Sequence, residues 1–272
     1  MALKTVEQFV EWAPLGQHLT PSLISVIFEF AAFRSLQMTS STDCKPSESS
    51  LAAVDCATNI LTKKCIPREF EAFILELTSS LMQVLQRLTS HGSSMEKAGE
   101  DYLDKITSFL DVFFENHVAR LEKTRNFALD EFLHLLFTYT CQQPHSVGFV
   151  NCILLWDNFV HYINESNDNI GGNSLLTYTN GLQMLSSHLL GRITFASNAI
   201  QLEELDDISD NNNVKENSIL DSEEDQVDAF SDSKESGLSE MEEFMNDCIS
   251  LIVGVADVGD SFYVLIYMIF FI

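Results

Sequence analysis

The chain has 272 residues, 46% of them hydrophobic, and forty acids against fifteen Lys and Arg for a formal charge of −25. A surplus of that size excludes nucleic acid and anionic membrane surfaces as partners, because both need Lys and Arg to neutralise phosphate; it suits a basic protein surface. Only 11 Gly and 5 Pro against 20 Phe favour long helices over a sandwich or barrel, with enough apolar surface for a sizeable core.

Helix signals recur along the whole chain. Leu3–Trp12 opens the series, and Ala13–Thr20 is a short break. Thr20 is an N-cap with Pro21 at the first helical position, followed by the apolar face Leu23, Ile24, Ile27, Phe28 and Ala31. Gln37–Ser50 is polar and reads as a loop, and Leu51–Thr62 as the next helix. After the break Lys64–Pro67 comes the long stripe Phe70, Phe73, Ile74, Leu77, Leu81, Val84, Leu85 and Leu88. Asp101–Leu121 follows, then the link Glu122–Asn126 and the stripe Leu129, Phe132, Leu133, Leu136, Phe137 and Thr140. Beyond Gln142–His145, Ser146 opens a face of Phe149, Ile153, Trp156, Val160 and Ile163. Asn164–Asn173 is rich in Asn, Ser and Gly and reads as a loop before the stripe Leu182, Leu185, Leu189 and Ile193.

The segment 201–240 reads as a disordered acidic insertion, and Met241–Val255 as one more helix. Gln201–Asp247 holds seventeen acids and two lysines, so most of the net charge sits there. The last stretch, Phe262–Ile272, is eleven apolar residues in a row, shorter than the roughly 20 that span a bilayer. It has no polar face and is expected to lie outside the native fold.

Helices joined by short links pack antiparallel, and helix pairs at this spacing are the layout of HEAT or armadillo repeats. A globular helical bundle carries the same stripes, so periodicity alone leaves both open.

The chain shows no set of residues that converges on chemistry. The histidines are His18, His91, His117, His134, His145, His161 and His188, and none falls in a His-Glu-x-x-His or zinc spacing. His134 and His161 lie within helical stripes and read as structural. Cys141 and His145 are close in sequence but lack a third, orienting group. Trp156 and Phe159 read as core rather than a ligand cage. Asn164–Gly172 has the polar look of a calcium loop without its ligand order, and Asp206, Asp207 and Asp210 imply no rigid chelate. The six cysteines, Cys44, Cys56, Cys65, Cys141, Cys152 and Cys248, form no Cys-x-x-Cys pair and read as free thiols of a reducing compartment. No enzyme activity, metal or cofactor is expected.

Several stretches carry a resemblance. They are residues 127–145 (FALDEFLHLLFTYTCQQPH) with 148–163 (GFVNCILLWDNFVHYI), residues 12–15 (WAPL), 20–31 (TPSLISVIFEFA), 64–71 (KCIPREFE), 192–195 (RITF) and 201–207 (QLEELDD). In this order they resemble the central part of an importin-β-family (karyopherin) nuclear export receptor, over roughly residues 3–257. The resemblance implies an all-α fold, an α-α superhelix of HEAT/armadillo-like repeats. Residues 1–200 would form repeats, 201–240 the acidic insertion, 241–257 a further repeat helix and 258–272 an atypical apolar tail.

It also implies export of protein cargo, actin–profilin, from nucleus to cytoplasm with the small GTPase Ran in its GTP form. Weak contacts with nucleoporin Phe-Gly repeats and shuttling between nucleus and cytoplasm belong to the same expectation. Family members are several times longer, so the chain reads as a truncated central piece in which Ran binding is not expected by itself. The contacts implied are exposed residues on each second helix, facing the concavity. Glu203, Glu204, Asp206, Asp207 and Asp210 are candidate contacts to a basic partner, or part of a solvated insertion. A helical-repeat scaffold for protein–protein interaction without a transport role would share the fold, and Ran-sensitive shuttling separates the two.

Overall fold

A computed structural model describes residues 2–12, 20–32, 46–63, 71–90, 94–122, 127–170, 174–194 and 243–256. All the regular structure among them is helical. The helices are α1 (Ala2–Trp12), α2 (Pro21–Ala31), α3 (Glu48–Leu61), α4 (Glu71–Thr89), α5 (Ser94–Ala98), α6 (Glu100–Leu121), α7 (Leu129–Cys141), α8 (Ser146–Ile170) and α9 (Ser174–Ile193). Residues 243–256 form α10. The chain divides into two compact units, Met1–Gly181 and Leu182–Ile272.

Within the first unit, with the short α5 left aside, the packing runs from each helix to the next but one. α3 packs on α1 and α6, and α6 packs on α8; α4 packs on α2 and α7. Hairpin contacts α2–α3 and α7–α8 join the two rows, and α5 bridges α4 to α6. Among the strongly packed pairs none closes α8 back onto α1 or α2. A bundle closes on itself, whereas two open rows of alternating helices are the repeat architecture. The fold is therefore an all-α, HEAT/armadillo-like helical repeat, and the bundle reading is set aside by this packing.

Local chemistry explains the element ends. The Thr20 hydroxyl accepts from the Leu23 amide at 3.2 Å, with Pro21 at the first helical position, as the sequence pattern requires. The Ser47 hydroxyl does the same for Ser50, so α3 begins three residues before the predicted start. Gly99 is the one glycine with a positive φ among the described residues, +74°, and lets the chain turn from α5 into α6. The short α5 was not legible, because five residues are too few to show a period.

The predicted loop over Asn164–Asn173 is corrected: α8 continues through Ile170. A helix already nucleated by the packed face up to Ile163 propagates through Asn and Ser at small cost, and His161–Glu165 pair across one turn at 3.2 Å. The calcium-loop likeness of Asn164–Gly172 fails with it, because residues 164–170 are helical. Phe262–Ile272 and the whole of 201–240 lie outside the described residues, so their expected roles stay untested. No described helix is long and apolar enough to cross a membrane.

Between the two rows sits a core rich in aromatic rings. Phe113 packs on Phe132 with centroids 5.3 Å apart, Phe114 on Phe159 at 5.6 Å, and Phe28 on Phe109 at 6.2 Å edge to face. Each fully buried ring contributes about 1.5–3 kcal/mol of hydrophobic stabilisation. Trp156, at 2% exposure, donates its indole N–H to Thr140 Oγ1 at 3.0 Å, which places it in the core as expected.

Candidate interaction surface

α6 is the central helix of the first unit, and its polar groups do two jobs. On its inward side they satisfy helix ends. The last carbonyls of a helix have no partner of their own. Tyr102 donates its hydroxyl to Ala31 O, at the end of α2, at 2.7 Å. His117 donates Nε2–H to Leu61 O, at the end of α3, at 2.8 Å. Burial keeps Tyr102 and Tyr139 well above the ordinary tyrosine pKa, so both hydroxyls remain donors. Burial holds the His117 pKa below the usual histidine value, against the raising effect of its bond to Leu61 and with a lowering effect from Arg120.

On its outer side α6 builds one wall of a groove. Asp104, Thr107, Ser108 and Asp111 of α6 face Asn151, Leu154, Asp157 and Asn158 of α8 across a groove of about 560 Å³. Seven residues separate Asp104 from Asp111, which sets their Cα atoms about 10 Å apart on one side of the helix. The Asn158 amide donates to Asp111 Oδ1 at 2.8 Å and ties the two walls. Leu154 is 53% exposed and gives the wall an apolar step. No Lys, Arg or His lines the groove. The nearest cation in sequence, Lys105, is turned to Asp55 of α3, with Nζ 2.5 and 2.7 Å from the two carboxylate oxygens.

The arrangement is a surface, not a chelate. Among the described residues no three His, Cys, Asp or Glu side chains converge to hold a metal ion. Three carboxylates along one trough present negative potential that attracts a basic segment at low salt and is screened within about 10 Å at 0.1 M.

The predicted contacts Glu203, Glu204, Asp206, Asp207 and Asp210 lie outside the described residues. The broader expectation, exposed residues on each second helix facing the concavity, stays untested; α3, α6 and α8 share one row. The individual residues Asp104, Asp111 and Asp157 were missed. Their signal was present in the acids that interrupt the apolar period of α6, but only the fold brings α8 alongside.

The histidine expectations are corrected. His134 is exposed, with its ring near its own Thr138 hydroxyl, and His161 is 73% exposed beside Glu165. Both lie on the polar edge of their helices; the structural histidine is His117, at 1% exposure. Cys141 is half-buried at the end of α7 and His145 is exposed in the turn that follows. Cys56, Cys152 and Cys248 are buried free thiols, each pushed up to about 12 chiefly by burial. Cys44 and Cys65 lie outside the described residues.

No family model matches the chain, and no solved structure matches it. Curated relatives do. Exportin-6 of Homo sapiens is 33% identical over 228 residues, which cover 76% of this chain and 20% of that protein. This chain resembles a segment of exportin-6. Exportin-6-A of Xenopus laevis is 33% identical over 243 residues, 76% of this chain and 21% of its own length. Exportin-6 of Dictyostelium discoideum is 31% identical over 213 residues, 78% of this chain and 19% of its own length. The chain spans about a fifth of the length of the exportin-6 relatives it matches.

Proposed function

We propose that this chain is a segment of a nuclear export receptor that carries protein cargo, actin–profilin, from nucleus to cytoplasm in a Ran-GTP-dependent way. The observation that carries the proposal is the match to exportin-6 relatives along three quarters of the chain. The two-row helical repeat supports it, since stacked repeats present long continuous surfaces of the kind a protein cargo needs. The receptor's passage through the pore would rest on weak contacts with nucleoporin Phe-Gly repeats, and the GTP hydrolysis on Ran rather than on these residues.

Cargo contact is assigned to the row α3–α6–α8, with the groove of Asp104, Asp111 and Asp157 receiving Lys or Arg and Leu154 an apolar side chain. Glu203, Glu204, Asp206, Asp207 and Asp210 are proposed as a second acidic contact, within an insertion over 201–240 that precedes a further repeat helix at 241–257. A pull-down of the chain on actin–profilin at low and moderate salt tests the assignment. Binding that weakens with salt and falls about tenfold in the D104N/D111N/D157N variant is expected, given the 1.4 kcal/mol that a tenfold change represents. Undiminished binding by that variant overturns the groove, and no binding by the chain overturns a cargo surface on these helices.

A further inference from the structure

Glu122 occupies an odd place. It is the C-cap residue of α6, where the unpaired carbonyls of the last turn make the environment negative and a carboxylate is unfavourable. Its two oxygens are each taken by a tyrosine from a different helix. The Tyr162 hydroxyl of α8 donates to Oε2, and the Tyr178 hydroxyl of α9 donates to Oε1 at 2.5 Å. Hydroxyl-to-carboxylate bonds are short and among the stronger ones available to a protein. Burial and the adjoining Glu122 both raise the Tyr178 pKa, so its hydroxyl stays a donor.

The rings are held separately from the hydroxyls. Tyr178 packs edge to face on Phe159 at 5.6 Å, and Phe159 lies against Tyr162 at 6.4 Å and Trp156 at 6.0 Å. The aromatic contact seats Tyr178 of α9 on Phe159 of α8. The carboxylate adds a charged, directional tie between three helices, α6, α8 and α9, at one point.

From this geometry we infer that Glu122 is a latch. It fastens the first turns of α9 to the α6–α8 pair, and its release lets that part of α9 loosen while the rest of the first unit stays packed. Repeat arrays draw their curvature from small rotations between neighbouring repeats, so a latch that ties α9 to α6 and α8 sets one such rotation. The inference does not depend on the export reading.

Amide hydrogen exchange on the 272-residue chain tests it, with Tyr162→Phe, Tyr178→Phe and the double variant, which keep every ring and remove only hydroxyls. Exchange in residues 174–181 should accelerate about tenfold in the double variant, with α2, α3 and α4 unchanged, because local opening is read segment by segment. Because both tyrosines share one carboxylate, the two single effects should not add. Tyr102→Phe, which loses a bond at the far end of α6, should leave 174–181 as in the parent chain. Unchanged exchange at 174–181, or an equal acceleration in every helix, overturns the latch.

Discussion

Removing His117 should both weaken the chain and flatten its pH dependence. In the folded chain Nε2–H bonds to Leu61 O at 2.8 Å and the ring is 1% exposed, while Nδ1 has no partner. His117→Leu fills similar volume but removes the shorter of two bonds to the Leu61 carbonyl and leaves it only the Asn116 amide at 3.5 Å, a loss of about 0.5–1.5 kcal/mol at neutral pH.

The pH effect has a definite sign. The folded pKa is depressed below the ordinary 6.5, chiefly by burial. As pH falls through 6.5, the unfolded chain takes up a proton that the folded chain refuses, so the folded state loses stability. The contribution is complete above the unfolded pKa. It falls by up to about 1.4 kcal/mol per pH unit below it, until the folded group itself titrates. Urea unfolding of the parent and His117→Leu chains at pH 7.5, 6.5 and 5.5, followed by tryptophan emission, measures this. The gap between the two chains should narrow as pH falls. A constant gap across that range refutes the buried neutral histidine.

Other expectations follow from packing and charge. Phe113→Ala, at the centre of the aromatic core, should cost about 3–5 kcal/mol by urea unfolding, whereas Phe30→Ala, at 47% exposure, should stay within about 0.5 kcal/mol. Iodoacetamide at pH 8 should leave Cys56, Cys152 and Cys248 unmodified in the folded chain and label them in urea, because the reactive thiolate is scarce when burial pushes the thiol up to about 12; mass spectrometry reads the sites. Lys105→Ala should cost under about 1 kcal/mol and less in 0.5 M salt, because the Lys105–Asp55 pair is one-third exposed and screened.

The helices were readable because each buries one continuous stripe. Ile24, Ile27, Phe28 and Ala31 fall inward as their spacing demands, as do Phe149, Ile153, Trp156, Val160 and Ile163. Capping chemistry at Thr20–Pro21 fixed a boundary as well. What a stripe cannot carry is which helices become neighbours. Tyr102, Tyr139 and His117 are each one residue in a period, yet they bond to carbonyls on other helices 36 to 71 positions away. The groove is hidden for the same reason. Asp104 and Asp111 look like an ordinary solvated face until α8 brings Asn151, Leu154 and Asp157 opposite. Asn164–Ile170 misled in the other direction, because polar composition describes exposure and not backbone state.

A segment exchange tests the central claim most directly. The stretch of human exportin-6 matched here, a fifth of that protein, is replaced by this chain, and the nuclear-to-cytoplasmic ratio of actin is measured in cells that lack their own copy. Export restored by the exchanged receptor, and lost when Ran is held in its GDP form, is the predicted result. An exchanged receptor that is folded and abundant but leaves actin in the nucleus contradicts the assignment of this chain to that receptor's repeats.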